Sequence, residues 1–218
     1  KGERTVAAAI RSERGRRALR PRYLAAAGLL LFLAGVVAFM GIITAESLYP
    51  AGYSTSGNEI SDLGATEPPD SVIEEPSATI FNTVMMVSGA LIILAAVNIQ
   101  VGFGRWAAPV LVGLFGLGAL GVGIFPGDTG TVHALFAMLT FVTGGAAAIV
   151  SVTIMAPPLS YVSVLLGIVA LVTLLLHLIM GDSSPLAGMG IGGVERWVAY
   201  PILLWVTGLG GYLLGRAR

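Results

Sequence analysis

The sequence predicts an all-α, polytopic membrane protein, a bundle of six transmembrane helices with both chain termini in the cytoplasm. Three observations support this fold class. The 218 residues are 56% hydrophobic and only 11% charged, whereas roughly 25% of the residues of a soluble domain are charged. The mean hydropathy is +0.88. The sequence also contains six long apolar runs, each close to the ~20 residues that a helix needs to cross a bilayer.

These apolar runs define the spans and the domain organisation. Segments rich in Pro and Gly separate most of them, which indicates short connections and antiparallel neighbours. The first run is too long for a signal peptide and no clear cleavage site follows it, so we expect it to remain as a span. The predicted membrane domain covers residues 23–215, with spans at about residues 23–45, 78–99, 107–125, 133–155, 160–180 and 197–215.

The distribution of charge predicts the orientation of the bundle. Eleven of the twelve basic residues lie before the first span, between spans two and three, or after span six. By the positive-inside rule this side is cytoplasmic. Ten of the twelve acidic residues lie in or beside the three loops of the opposite side, and six of them fall within residues 53–77. We therefore expect residues 46–77 to form an acidic extracytoplasmic loop.

Residues 1–22 form a basic arm before the first span. They mix small apolar residues with arginines, a pattern typical of helices that lie against anionic lipid head groups. We expect a cytoplasmic arm that anchors to the membrane surface as an interfacial helix, with contact to a partner protein as the alternative. Because the formal net charge is zero, no overall electrostatic field attracts nucleic acid.

Glycines predict close packing of the spans. Helices in lipid associate largely through van der Waals contact between small residues. The third span contains five glycines, and the sixth carries Gly211 and Gly215 at G-x-x-x-G spacing. These patterns predict a compact bundle.

The side chains that could carry chemistry gather at the predicted outer end. The absence of cysteine excludes disulfides, thiolate nucleophiles and Cys-ligated metal sites. His133 begins the fourth span and His177 lies near the end of the fifth, so antiparallel spans place both at similar depth. Ionisable groups at membrane depth are costly and by default suggest function. The expected ligand-binding cluster consists of Asn58, Glu59, Asp62, Asn82, His133, Glu195 and Arg196.

Each polar side chain also has a structural interpretation. Asp128 can cap the fourth helix. Residues 56–63 have the pattern of a capping box followed by a short helix, which makes Glu59 structural. Asn82 can hydrogen-bond to a neighbouring helix. Arg196 is the one basic residue at the acidic side, and we expect it to form a salt bridge rather than to bind a ligand phosphate or carboxylate.

Catalysis and metal binding are alternatives without a committed residue. His133 could act as a general base beside a carboxylate such as Asp128 or Glu59, but no nucleophile motif accompanies it. His133 and His177 could ligate a metal ion, but no local H-x-x-x-H or H-E-x-x-H spacing occurs. The sequence predicts no cofactor.

Four segments together resemble the DUF998 family of prokaryotic integral membrane proteins, whose function is unknown. They are YPAGYSTSGNEISDLGA, SATIFNTVMMVSG, GIFPGDTGTVHALFAMLTFVTGG and GGVERWVAYPILLWVTGLGGYLLG. The resemblance covers nearly everything after Tyr23 and implies about six spans but no activity. His177 and the basic arm fall outside it. The matching positions are Tyr49, Pro50, Asn58, Ser61, Leu63, Gly64, Asn82, Phe125, Pro126, His133, Glu195, Arg196, Tyr200 and Pro201.

The sequence favours a non-catalytic membrane protein whose outer polar cluster locks the bundle or binds a lipid head group or small ligand. A related hypothesis makes it an accessory subunit of a larger membrane complex. One alternative is an enzyme that acts on lipids of the outer leaflet through His133 and a carboxylate, with Arg196 holding phosphate. Another is a small transporter or channel. The expected location is the cell membrane, and the expected partners are lipids and other membrane-protein subunits, not nucleic acid.

Overall fold

The computed structural model shows a helical bundle and describes the backbone of residues 2–217 and the side chains of residues 20–217. This part of the chain contains six α-helices and no strand. Each has the length and apolar composition needed to cross a membrane, so the predicted six-helix membrane fold is confirmed. The helices are α1 Gly2–Leu48, α2 Ser77–Phe103, α3 Ala107–Ile124, α4 Thr131–Val150, α5 Leu159–Met180 and α6 Gly190–Arg216.

The helices form a ring in which each packs against its sequence neighbours and α6 closes against α1. α6 also contacts α4. Since consecutive helices run antiparallel, the connections fall at two opposite ends. We call one the acidic end, made of residues 49–76, 125–130 and 181–189. We call the other the basic end, made of residues 104–106 and 151–158 with the last turn of α6.

Two helix boundaries differ most from the predicted spans. α6 begins at Gly190 rather than near residue 197, so Glu195 and Arg196 lie inside the helix. The backbone of α1 continues back to Gly2, which makes the predicted arm part of the same helix. The side chains of residues 1–19 lie outside the described residues, so anchoring of the arm to the membrane surface stays a prediction.

The main apolar core lies along the bundle axis, where every helix contributes side chains. Trp205 of α6 is one of its largest fully buried members. The indole N–H donates a hydrogen bond to Ser151 Oγ at 2.9 Å, which satisfies the polar atom of an otherwise apolar ring. α6 is thereby fixed against the end of α4.

A smaller apolar cluster closes the acidic end. Ile60 and Leu63 of the loop are buried there against Ile42, Phe81 and Val122 of α1, α2 and α3. The acidic loop therefore enters the mouth of the bundle with these two apolar side chains. This burial positions the polar groups of the loop over the helix ends.

Close contact between α1 and α6 uses Gly28 and Gly210. A Cβ atom built on either glycine would lie 2.8 Å from the carbonyl oxygen of the other. By contrast, no atom of the described chain lies within 4 Å of a Cβ built on Gly211 or Gly215. The prediction that this G-x-x-x-G pair packs within the bundle is therefore wrong. Successive residues of a helix point about 100° apart, so Gly211 faces away from α1 when Gly210 faces it.

Hydrogen bonds at the basic end hold the α4–α5 connection. Arg105 and Arg216 donate to the carbonyl oxygens of Thr153 and Ile154, both at 3.2 Å. Arg216 also donates to the Tyr212 hydroxyl at 3.1 Å. The sequence did not predict this network.

Candidate functional site

Arg196 near the start of α6 is the centre of a buried network at the acidic end. Its side chain is only 9% exposed, and Nη2 lies 2.5 Å from Glu46 Oε1. Nη2 also donates to the Tyr53 hydroxyl at 2.6 Å. Nη1 donates at 2.9–3.0 Å to three backbone carbonyl oxygens, those of Thr55, Asn58 and Gly192. The expected salt bridge is present and joins α1 to α6. The other hydrogen bonds of Arg196 join both helices to the loop.

Tyr53 completes the network. Its hydroxyl accepts from Arg196 and donates to the Glu59 carbonyl oxygen at 3.0 Å. Burial raises the pKa of the Tyr53 phenol above its ordinary value of 10.0, although Arg196 acts in the opposite direction, so the phenol keeps the proton that it donates. The four N–H groups of Nη1 and Nη2 therefore face protein acceptors. Of the two roles that the sequence allowed for Arg196, a salt bridge or the binding of a ligand anion, the geometry favours the salt bridge.

Gly192 lets the loop approach α6 closely enough for this network. Its amide donates to the Ser56 carbonyl oxygen at 3.0 Å, and a Cβ on Gly192 would collide with the Asn58 carbonyl oxygen. Any larger residue would push the loop away from the Arg196 guanidinium.

Asn58 and Asp62 serve the loop itself. Asp62 Oδ2 accepts from Asn58 Nδ2 at 3.2 Å and from the Glu59 amide at 3.0 Å. Asn58 Oδ1 accepts from the amide four residues earlier at 3.0 Å. The predicted capping box of Ser56 and Glu59 is wrong. The segment forms only the 3-10 helix Ser61–Leu63 without a side-chain cap, because Asp62 takes the Glu59 amide.

Asp128 does not cap α4, so that prediction is also wrong. It lies exposed in the 3-10 helix Gly127–Thr129. The residue that precedes α4 is Gly130, and no side chain caps the helix. The two residues between Asp128 and the helix carry its carboxylate away from the free amides of the first turn.

His133 in the first turn of α4 is buried, with one ring nitrogen hydrogen-bonded and the other without a partner among the described residues. It is 5% exposed, and Nδ1 lies 2.7 Å from the Phe125 carbonyl oxygen. A carbonyl oxygen can only accept, so Nδ1 carries a proton, and the neutral form of the ring has its lone pair at Nε2. The backbone of Phe125 thus orients the ring, in place of Asp128 or Glu59. Nε2 is buried and has no hydrogen-bond partner among the described residues.

His133 lines two adjacent cavities, of which the outer one is the more polar. The inner cavity lies between α1, α2, α3, α4 and α6 and is almost wholly apolar. Its volume is about 70 Å³. The mouth cavity lies between the loop, α4, α5 and α6 and has a volume of about 180 Å³. The titratable residues that line the mouth cavity are Glu59, Glu67, His133, His177 and Glu195.

The two cavities share a wall, made of Ser61, His133, Ala137, Phe141 and Glu195. His133 and His177 both line the mouth cavity. Their positions on antiparallel spans predict this similar depth. The residues described here contain no group of three or more His, Asp or Glu arranged to hold a metal ion.

Three carboxyl groups, those of Glu59, Glu67 and Glu195, line the mouth cavity. Glu195 accepts from the Ile60 amide through Oε2 and has no ion-pair partner among the described side chains. Burial, and then the charges of Asp62 and Glu67, raise the pKa of Glu59 above its ordinary value of 4.5.

Three members of the predicted ligand-binding cluster, Glu59, His133 and Glu195, line the mouth cavity. Four others, Asn58, Asp62, Asn82 and Arg196, line neither of the two cavities. The expected interhelical hydrogen bond of Asn82 is not made by Oδ1, which is buried without a partner in the part of the chain that the structure describes.

Sequence reasoning did not single out Glu46 or Tyr53, and it named Ser61 only as a position that matches the family pattern. A buried arginine requires a nearby acid, which is a signal for Glu46. That signal does not distinguish it from the other nine acidic residues of the same end. The contacts of Tyr53 and Ser61 depend on how the loop folds over the bundle, which no local pattern specifies.

The model of the family described as "Protein of unknown function (DUF998)" matches residues 32–212. No curated protein and no solved structure matches the chain. The matched segment includes both cavities and the Arg196 network. The chain therefore belongs to the DUF998 family of proteins of unknown function.

Proposed function

We propose that the protein binds a single-chain amphipathic lipid and does not transform it. The apolar chain lies in the inner cavity and the head group in the mouth cavity. The observation that carries this proposal is the buried, unpartnered His133 Nε2 on the wall that the two cavities share. Buried polar atoms in native proteins nearly always have a partner. A ligand head group provides one.

The shape of the inner cavity supports a ligand with one chain. Its lining on α6 extends from Glu195 to Val206, a rise of about 16 Å along the helix axis. That length suits a dodecyl chain. The small volume along this length leaves no room for two chains side by side. Alanines on α1 and α3, such as Ala38 and Ala119, leave the space open.

The mouth cavity supports entry from the bilayer. Leu178 of α5 and Ile191 of α6 line it and are themselves exposed. Because a membrane surrounds these helices, an exposed apolar side chain at this depth contacts lipid. An amphiphile can pass between α5 and α6 without crossing water.

Native mass spectrometry with monododecanoylglycerol, a neutral single-chain probe, tests the proposal. Wild-type protein released from a non-ionic detergent should carry one probe molecule with saturable affinity. Ala137→Trp fills the wall shared by the cavities and should abolish binding. Leu135→Trp, at a position of the same helix that is 67% exposed, is the matched control and should bind like wild type. Equal binding by Ala137→Trp and wild type would refute the proposal.

A second candidate is an enzyme that acts on a lipid, and one observation favours it. His133 has Nδ1 fixed by a backbone carbonyl and Nε2 free, which is the arrangement of a general base. Ser61 lines the same cavities. Lipids incubated with the protein should then change in mass, and His133→Gln and Ser61→Ala should both stop the change. If the lipids do not change in mass, the enzyme candidate is refuted and the binding function remains.

The proposed location is the cell membrane with both termini cytoplasmic. The concentration of arginines in residues 1–22, between α2 and α3 and at the end of the sequence supports it. Membership of a larger complex stays a prediction, which isolation from gently solubilised membranes tests. The transporter or channel hypothesis also stays a prediction.

A further inference from the structure

We infer that the mouth cavity selects a head group that donates hydrogen bonds and carries no negative charge, a hydroxyl or a protonated amine rather than a phosphate. The inference depends on the proposed binding function and specifies its ligand. It follows from which atoms of the cavity wall are free and which are already used.

His133 supplies the first free atom. Since Nδ1 donates to the Phe125 carbonyl, the neutral ring can only accept at Nε2. This atom is buried and unpartnered among the described residues, so the group that satisfies it must bring an O–H or N–H. A phosphate dianion has none to give.

The carboxyl groups point to the same head group. Glu59, Glu67 and Glu195 line the mouth cavity, and only one oxygen of Glu195 is engaged, by the Ile60 amide. Ionised carboxylates attract an ammonium group and repel a phosphate. A donor from the ligand can also bond to the carbonyl oxygen of a protonated carboxyl.

Among the described side chains, no lysine or arginine lines either cavity, whereas phosphate sites in proteins rely on such side chains or on convergent backbone amides. Arg196 lies next to Glu195 in the sequence, but its Nη donors are taken by Glu46, Tyr53 and three backbone carbonyls. Its Nε is buried without a partner among the described residues, but Arg196 lines neither cavity.

Three probes with the same dodecyl chain test the inference: dodecylamine, monododecanoylglycerol and dodecyl phosphate. The dissociation constant of each is measured by native mass spectrometry on wild type. The amine and the glycerol ester should bind about tenfold more tightly than the phosphate, the gain expected for one or two additional hydrogen bonds.

Two variants test whether the head-group preference comes from the wall that the two cavities share. His133→Phe removes the acceptor and should weaken the two donor probes several-fold while leaving the phosphate unchanged. Glu195→Gln still accepts from the Ile60 amide but adds an N–H donor, so it should reduce the preference for the amine over the phosphate. Leu135→Phe on the exposed face of α4 is the control and should change nothing.

The outcomes separate the inference from the binding function. Equal affinity for the three probes, or tightest binding of the phosphate, overturns the head-group inference while the binding function stands, provided that Ala137→Trp abolishes binding. Binding of no probe overturns both. Ala119→Phe, which fills the inner cavity alone, replaces Ala137→Trp if that variant does not fold.

Discussion

Replacing Arg196 by methionine tests whether one guanidinium holds the acidic end of the bundle together. The change keeps a long, unbranched side chain and removes every donor. Glu46, whose side chain is 19% exposed, loses its counter-charge. The Tyr53 hydroxyl and three backbone carbonyl oxygens lose a donor.

The expected cost follows from the burial of the pair. Removing one partner of a buried ion pair costs about 3–5 kcal/mol, because the other charge stays buried without compensation. Hydrogen bonds to a charged group contribute about 1.5–3 kcal/mol each, so the five bonds of Arg196 sum to more. The loop can move outward and expose these groups to water, however, which limits the loss. In a protein of this size 1 kcal/mol shifts Tm by roughly 2–4 °C, so we expect Arg196→Met to lower Tm by roughly 6–20 °C.

Thermal unfolding in detergent, followed by circular dichroism, measures this shift. All variants are compared at one scan rate, since membrane proteins rarely unfold reversibly. Arg105→Met is the matched control: Arg105 is exposed and makes one hydrogen bond, to Thr153, so its loss should cost about 1 kcal/mol or less. Arg196→Lys should fall between wild type and Arg196→Met, because an ammonium group keeps the charge but not the planar fork.

A double-mutant cycle with Glu46→Gln completes the test. If the two side chains interact, the combined loss should be smaller than the sum of the single losses by about 0.5–3 kcal/mol. Strictly additive losses, or an Arg196→Met protein with the Tm of wild type, would refute the reasoning.

Three further predictions concern other parts of the chain. Because burial raises the pKa of Glu59 above 4.5, the folded protein binds this proton more tightly. Stability should therefore fall as pH rises from 4.5 through the raised pKa, and Glu59→Gln should flatten that fall in Tm. Gly28→Ala should cost about 1–3 kcal/mol through overpacking while Gly211→Ala leaves Tm unchanged or higher. In this cysteine-free sequence, an impermeant maleimide should label Asp70→Cys on intact cells and Arg105→Cys only after lysis, and the reverse pattern contradicts the orientation.

The spans were predictable because a helix in lipid needs only a continuous apolar stretch of sufficient length. The start of α6 was not. Residues 190–196 read GIGGVER, which locally resembles a glycine-rich loop with two charges. The fold overrides that preference because Gly192 packs against the loop and Arg196 finds buried acceptors. Neither contact is visible in the local sequence.

The location of the polar groups was predictable, but their roles were not. Charge asymmetry and antiparallel spans were enough to bring His133, His177 and Glu195 to one end. Which donor meets which acceptor depends on how the loop folds, and that depends on Ile60 and Leu63 entering the bundle. Local patterns failed for the same reason, because Asp62 replaced the capping box that the sequence suggested.

Glu195 and Arg196 show how one helix divides two tasks between adjacent residues. Successive side chains of a helix point about 100° apart, so Glu195 faces the cavities while Arg196 faces α1 and the loop. The loop that Arg196 holds also contributes Glu59 and Ser61 to the mouth cavity. Breaking the Arg196–Glu46 pair therefore displaces part of the proposed ligand site without touching the ligand. A bound ligand must in turn resist release of the loop, because linkage acts equally in both directions.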